Sequence, residues 1–216
     1  IGSRLMVREG EAEAALVKLA RETKAEAVFT NRDPDLFGRG MEMRVAKMLA
    51  EDGRELRTFQ DAAMHERDEV KTGGGGNFRV FTPYSRAWAK LDKPSAGPAL
   101  KKLGTPEGVA SGDLPTPAHW GLAEFSGGLE PGEKAARERL RKFLQGPVFD
   151  YGATRDVMGE DGTSRLSQDL RHGLLSIREV YHKARAAAEG GDADGRNNVW
   201  KFISELIWRE FYFQIL

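Results

Sequence analysis

The last turns of the chain carry the side chains best suited to chemistry. Glu205, Trp208, Arg209 and Tyr212 follow an i, i+3, i+4, i+7 spacing, which places them on one face of a helix. That face offers a hydrogen-bond acceptor, a flat ring, a forked cation and a phenol. The residues between them are mostly apolar, and a helix that is apolar on nearly every side is buried. Two interpretations stay open from these residues alone: an interior helix with one Glu–Arg ion pair, or part of a functional site.

A second polar cluster precedes this helix in the chain. Three hydroxyl groups and a guanidinium lie close together just before a predicted helix, in the run Gly162, Thr163, Ser164, Arg165, Leu166 and Ser167. Hydroxyl groups, backbone N–H groups and a helix N-terminus can together hold a phosphate or pyrophosphate. A Ser/Thr-rich helix N-cap explains the same residues without any ligand.

Composition excludes several kinds of chemistry. The 216 residues include no cysteine, so disulfides, thiolate catalysis and cysteine-ligated metals are ruled out. The four histidines show no metal-binding spacing, and we expect no metal. Lys and Arg together number 33, as do Asp and Glu, so overall charge indicates no partner. No apolar run is long enough to span a bilayer and no signal sequence opens the chain, so we expect a cytoplasmic protein with no membrane association.

The two ends of the sequence are unusual for a complete protein. The first residue is Ile1 rather than Met, and the chain finishes on the apolar run 211–216 with no C-cap. Natural termini are usually polar and exposed. We therefore expect this sequence to be an internal fragment of a longer protein.

Hydrophobic periodicity predicts an α/β region at the start of the chain. Strands are expected at 5–7, 27–30 and 56–59, with helices at 11–23 and from Pro34 to about Gly53. This order is a βαβαβ unit with a parallel sheet. Residues 31–33 follow a strand, where parallel sheets bind ligands, although a plain turn explains them equally well. An extended segment is then predicted at 80–84 and a short helical turn at 86–90.

Composition shifts after this region. Six of the nine prolines lie between Lys93 and Gly132, which is typical of a long connector. The remainder has helical periodicity, with an apolar stripe at Ala136, Leu140 and Phe143 and a final helix from about Asn198. We therefore predict an α/β fold followed by an all-α fold, with an α/β domain at 1–92, an interdomain linker at 93–131 and a helical domain at 132–216.

The motifs together resemble the photolyase/cryptochrome family over nearly the whole chain. The similarity to its flavin-domain pattern lies in the order and spacing of Tyr151, Arg155-Asp156, residues 162–167, Leu170, Gly173, Ser176, Arg178 and the run Glu-Leu-Ile-Trp-Arg-Glu-Phe-Tyr at 205–212. Residues 31–33 and 80–88 resemble the end of the antenna domain. Glu205 and Trp208 make the chain most similar to a class I cyclobutane pyrimidine dimer photolyase.

The resemblance implies a Rossmann-like antenna domain, a wrapping linker and a helical domain that binds FAD. It assigns FAD contacts to Tyr151, Thr163, Ser164, Arg165, Leu166, Ser167 and Phe202. At Phe202 many relatives carry a tryptophan, so this chain keeps an aromatic ring there but loses the indole N–H. An antenna chromophore of folate or deazaflavin type is also implied, although residues 34–38 depart from the polar contacts of a folate antenna.

The resemblance also implies a reaction and a partner. Reduced FAD would donate an electron to a dimer in UV-damaged DNA under light, and Glu205 and Trp208 would be the catalytic residues at the lesion. DNA contacts fall on Arg155, Glu205, Trp208, Arg209 and Tyr212, and a monomer is expected. Three alternatives stay open: a (6-4) photolyase, a cryptochrome blue-light receptor, and a helical nucleic-acid-binding module without catalysis. The fragment alone is expected to be inactive.

Overall fold

The computed structural model describes residues 2–124 and 127–216, and these form two compact units. The first unit contains Ile1–Arg32, Leu36–Phe59 and Gly97–Leu129; the second contains Asp33–Asp35, Gln60–Ala96 and Glu130–Leu216. Residues 60–92 therefore cluster with the helical segment, whereas most of the linker clusters with the α/β segment. The predicted domain boundaries at 92 and 131 stay a prediction about the chain, because contact clusters need not follow domain limits.

The first unit is built on two parallel strands. Strands β1 (Ala27–Asn31) and β2 (Glu55–Phe59) pair in register from Ala27 opposite Glu55 to Asn31 opposite Phe59. Helices α1 (Ala12–Glu22) and α2 (Leu36–Glu51) connect to them, and their apolar stripes meet in a small core of Val17, Ala20, Val45 and Leu49. The prediction of a parallel α/β arrangement is confirmed.

The strand expected at 5–7 is wrong. Only Val7 pairs, in a single antiparallel bridge with Gly112, and its N–H donates to the Ser111 hydroxyl. Leu5 is largely exposed. Three apolar residues form a strand only where neighbouring strands pair with them, and here only Val7 has a bridge partner, although Met6 and Val7 are both partly buried. The turn after β1 contains the expected Asx contact, in which the Asp33 carboxylate accepts the N–H of Asp35.

The second unit is helical. Its elements in the described residues are α3 (Phe81–Lys90), α4 (Glu133–Gln145), α5 (Tyr151–Thr154), α6 (Ser167–Arg171), α7 (Ile177–Gly190) and α8 (Ala193–Ile215), with a short 3₁₀ turn at Pro147–Asp150. Another 3₁₀ turn, Pro117–Trp120, lies in the first unit. The predicted succession of α/β and all-α structure is thus confirmed.

The extended segment expected at 80–84 is wrong, since α3 begins at Phe81. Pro83 lies in the first turn of this helix, where the missing N–H of proline would have no helical partner anyway. Tyr84 and Trp88 follow at i, i+4 spacing and are both buried. Pro83 therefore marks the start of a helix and not the end of an extended segment.

Helix α8 also begins earlier than Asn198. The Asp192 carboxylate accepts the N–H of Gly195 at 2.8 Å and caps a helix of 23 residues. Val199, Phe202, Ile203 and Leu206 on α8 are buried in the core of the second unit, together with Val180 and Ala184 on α7. This long helix positions the predicted site. Within the described residues, no helix combines the length and the apolarity needed to cross a membrane.

Candidate functional site

Glu205 forms its ion pair with a residue far away in the sequence. Its carboxylate accepts a hydrogen bond from Nη1 of Arg155 at 2.5 Å, and Arg155 also reaches Asp156 at 3.3 Å. The Glu205 and Arg155 side chains are 42% and 34% exposed. The hydrogen bond to Glu205 raises the pKa of the Arg155 guanidinium. The interior-helix interpretation expected one Glu–Arg pair within this stretch, whereas Glu205 pairs with Arg155, 50 residues earlier.

Arg209 has a different role on α8. Its Nη1 donates to the carbonyl oxygen of Ala62 at 2.5 Å, and its guanidinium lies 4.5 Å from the centre of the Phe213 ring. Burial lowers the pKa of Arg209. The Arg209 side chain thus fixes the loop at Ala62 to α8. It is Arg155, not Arg209, that pairs with Glu205.

Trp208 lies in a half-exposed group of rings. It stacks on Phe81 with ring centres 3.7 Å apart and planes 5° apart. Phe211 meets it edge-on at 5.6 Å, and the Tyr212 ring stacks against it at 5.7 Å with planes 28° apart. The Tyr212 side chain is exposed, so this end of the predicted face is open to a partner.

Tyr151 and Phe202 lie next to the ion pair. The two rings meet edge-on at 5.7 Å, and Phe143 contacts Phe202 at 4.8 Å. Both side chains are buried, and burial together with the Glu205 charge raises the pKa of Tyr151. The Arg155 guanidinium lies 5.8 Å from the Tyr151 ring centre. Residues from two distant stretches of the chain are therefore in one contiguous group.

The hydroxyl cluster does not cap a helix. Leu166 occupies the N-cap position of α6, and no side chain accepts a capping hydrogen bond there. Within the part of the chain that the structure describes, no hydrogen bond is formed by the hydroxyls of Thr163, Ser164 or Ser167. Arg165 pairs with Asp161 at 2.9 Å. The N-cap interpretation is therefore wrong.

Gly162 brings this cluster against α5. A Cβ atom at Gly162 would lie 2.3 Å from the Thr154 hydroxyl oxygen and 2.8 Å from a Thr154 backbone atom. Only glycine fits such an approach to backbone. The segment that carries the three hydroxyls therefore starts next to α5, the helix that also contains Tyr151.

A second carboxylate on α8 is fully buried. Glu210 accepts hydrogen bonds from Trp88 Nε1 at 2.6 Å, from the N–H of Met64 at 2.5 Å and from the N–H of His65 at 3.2 Å. Burial raises its pKa to about 7, although all three donors act in the opposite direction. Gln214, one turn later, donates to Val70 and accepts from the N–H of Phe78.

An open groove lies elsewhere on the second unit. It has a volume of about 830 Å³ and is lined by residues of α5 and α8, among them Gly152, Asn198, Trp200, Lys201 and Ser204. None of the predicted site residues lines it. The groove is open and lies away from the residues assigned to FAD, so it gives no support to a flavin pocket.

Comparison with known proteins identifies a family for this chain. The DNA photolyase family profile matches residues 1–102. The deoxyribodipyrimidine photo-lyase of Streptomyces griseus is 36% identical over 219 residues, covering 100% of this chain and 46% of the relative. That of a Synechococcus species is 33% identical, covering 98% and 46%. The chain belongs to the DNA photolyase family.

Solved structures agree with this assignment. The crystal structure of a bacterial class III photolyase from Agrobacterium tumefaciens matches with a TM-score of 0.86 at 30% identity, covering 99% of this photolyase-family chain and 45% of that one. A Synechocystis cryptochrome matches with a TM-score of 0.84 at 22% identity, which shows the shared fold. The present photolyase-family chain spans about half the length of the curated relatives it matches.

Sequence reasoning about this photolyase-family chain found one group and missed another. The resemblance singled out Tyr151 and Phe202 for FAD and Arg155 and Glu205 for DNA without predicting contacts among them, and the structure shows the four side chains in one group. Sequence reasoning assigned no role to Glu210. A usable signal was present: a carboxylate in a run as apolar as 206–213 must have hydrogen-bond donors nearby.

Proposed function

We propose that this chain is part of a photolyase that repairs cyclobutane pyrimidine dimers in UV-damaged DNA by electron transfer from reduced FAD. The observation that carries the proposal is the group formed by Glu205, Arg155, Tyr151 and Phe202, with Trp208 one turn further along α8. The curated relatives named deoxyribodipyrimidine photo-lyase support it.

The residues around α5 and α6 fit a flavin nucleotide. The hydroxyls of Thr163, Ser164 and Ser167 form no hydrogen bond to other described residues, and hydroxyls of this kind suit phosphate and ribityl oxygens. Arg165 and the backbone around Leu166 complete the proposed polar contact. Bound FAD supplies the electron for the reaction, while these residues hold and orient it.

Tyr151 and Phe202 form the proposed apolar side of the flavin site. Phe202 is covered by Phe143 and Tyr151, so its ring fixes the orientation of Tyr151. Aromatic side chains also exclude water from a charged cofactor, which strengthens electrostatic interactions inside the site. We propose an antenna chromophore of folate or deazaflavin type on the α/β unit.

The α8 face supplies the proposed lesion contacts. A ring that stacks on bases and a carboxylate that accepts base N–H groups are what a flipped-out lesion requires, and Trp208 and Glu205 provide them. Arg155 can exchange Glu205 for a DNA phosphate, because both partners of the pair are partly exposed. Arg209 anchors the helix, and the exposed Tyr212 phenol adds a contact at the rim.

The chain alone is proposed to be inactive, because it spans about half the length of its curated relatives. The rest of such a protein would supply the other side of the flavin site. A monomer is proposed for the complete protein.

The decisive experiment measures repair. The complete protein that carries these residues is loaded with FAD, reduced, and illuminated with blue light together with an oligonucleotide that contains one thymine dimer. We expect restoration of the two thymines in the light and none in the dark. A parallel (6-4) photoproduct oligonucleotide should stay unrepaired. Repair of that substrate alone would contradict the proposed specificity, and binding without repair of either would contradict the activity.

Trp208→Ala tests the lesion contact in the same protein. Loss of base stacking should weaken binding to dimer-containing DNA by about 1–3 kcal/mol, the range measured for base–aromatic stacking. FAD content, measured by absorbance, should be unchanged. Equal affinity of the variant and the original protein for the lesion would remove Trp208 from the site.

A further inference from the structure

The stack between Phe81 and Trp208 is not the arrangement that two free rings prefer. Their centres are 3.7 Å apart and their planes differ by 5°, which is a nearly complete face-to-face overlap. Aromatic pairs prefer offset or edge-on arrangements, because the electron-rich faces repel each other. The surrounding structure must therefore hold Phe81 against Trp208.

Three contacts hold α3 against α8. Trp88 Nε1 donates to the buried Glu210 carboxylate at 2.6 Å, and the Tyr84 ring lies 5.2 Å from that of Phe211. Just before α3, the N–H of Phe78 donates to the Gln214 side chain at 3.1 Å. Because these anchors lie on both sides of Phe81 in the chain, its ring cannot move freely with respect to α8.

This arrangement decides which face of Trp208 a partner can use. A second flat ring cannot insert on a side that is already covered at 3.7 Å, so a base must use the remaining surface of Trp208, which the exposed Tyr212 ring flanks at 5.7 Å with planes 28° apart. A ring held in one orientation also loses no rotamer freedom when it binds, and such preorganisation increases affinity.

We propose that Phe81 is a positioning residue for lesion recognition, which covers one face of Trp208 and presents the other to a flipped-out base. The inference rests on the proposed function and adds a residue to it. Phe81 itself touches no DNA. It acts by fixing Trp208, so its removal reduces the preference for damaged over undamaged DNA.

The test compares two leucine variants in the complete FAD-loaded protein. Phe81→Leu keeps an apolar side chain but removes the flat ring. Phe78→Leu is the matched control, because it removes a nearby ring that contacts Tyr84 edge-on at 6.1 Å and not Trp208. Phe81→Tyr restores a flat ring. For each protein, dissociation constants are measured for a duplex with one thymine dimer and for the same duplex undamaged.

A second readout follows the Trp208 ring itself. Acrylamide quenching of tryptophan fluorescence is measured for each protein and for the same protein with Trp208→Phe. The difference between the two signals isolates the contribution of Trp208. For Phe81→Leu we expect more quenching and a preference for damaged DNA that is lower by about 3- to 10-fold, the effect of losing one aromatic contact. Affinity for undamaged DNA and FAD content should be unchanged. Phe78→Leu and Phe81→Tyr should keep the original preference.

Each other outcome has a defined meaning. An unchanged preference in Phe81→Leu overturns the inference and leaves the proposed function intact. Equal weakening for both duplexes assigns Phe81 to the stability of the fold and also overturns it. If Phe81→Leu loses FAD, Phe81→Met is judged by the same criteria, and loss of FAD there overturns the inference too. If the unsubstituted protein has no preference for damaged DNA, the proposed function fails, and the inference fails with it.

Discussion

Two glutamates of helix α8, five residues apart, lie in opposite environments. Glu205 is partly exposed and pairs with a cation, Arg155. Glu210 is buried and accepts hydrogen bonds from three uncharged N–H donors. On one helix, therefore, Glu205 is accessible to a binding partner, whereas Glu210 takes part in the packing of the core.

The difference follows from which neighbours can compensate the charge. Water and a guanidinium stabilise the Glu205 carboxylate, and such exposed pairs contribute little to stability. Glu210 has lost water, so its donors are structural: they join α8 to Trp88 on α3 and to the backbone at Met64 and His65. An exposed carboxylate can change partners, whereas a buried one cannot do so without cost. We therefore expect function at Glu205 and stability at Glu210.

Glu210→Ala should have the largest effect on the free energy of unfolding. The substitution leaves the Trp88 indole and two backbone N–H groups without acceptors and opens a cavity. We expect a loss of about 3–5 kcal/mol at pH 6, from unsatisfied buried donors. Urea denaturation followed by tryptophan fluorescence measures it. A loss below about 1 kcal/mol, as expected for an exposed pair, would erase the contrast between the two carboxylates.

The pH dependence of stability should reveal the same buried carboxylate. The folded state raises the pKa of Glu210 from 4.5 to about 7 by burial, so it favours the protonated form. The stabilising contribution is fully present below about pH 4.5 and is lost as the pH rises through 7. Relative to Glu210→Gln, which cannot ionise, the original protein should lose up to about 3 kcal/mol between pH 5 and 8.

His65 acts in the opposite direction. Burial lowers its pKa from 6.5 to about 4, so the folded state favours neutral imidazole, and stability is lost as the pH falls from 6.5 towards 4. The two trends partly cancel between pH 4.5 and 6.5 in the original protein. In Glu210→Gln only the histidine trend should remain, with unfolding free energy rising up to about pH 6.5. Parallel pH curves for the two proteins would show that Glu210 does not titrate as proposed.

Periodicity and spacing predicted much of this molecule. The parallel strands, the helices of the second unit and the shared face of Glu205 and Trp208 all follow from local patterns. Contacts between distant segments could not be predicted from local patterns, because neither the Arg155–Glu205 pair nor the Trp88–Glu210 hydrogen bond has a local signature. Such pairs depend on which helices pack together, and one sequence shows only that a buried charge needs some partner. The prediction at Pro83 failed for another reason, because proline is found both after the end of helices and in their first turn.

Glu205→Gln should change stability least and thereby sharpens the comparison. Both partners of the Arg155–Glu205 pair are more than one-third exposed, so the free energy of unfolding should fall by less than about 1 kcal/mol. The glutamine keeps an oxygen that can accept from Arg155 but has no negative charge. Preference for dimer-containing DNA should nevertheless decrease, because the amide accepts base N–H groups more weakly than a carboxylate does. Urea titration and DNA affinity measured on one preparation separate the two effects. A large loss of stability with unchanged DNA preference would make Glu205 a structural residue like Glu210, and the assignment of different roles to the two carboxylates would fall.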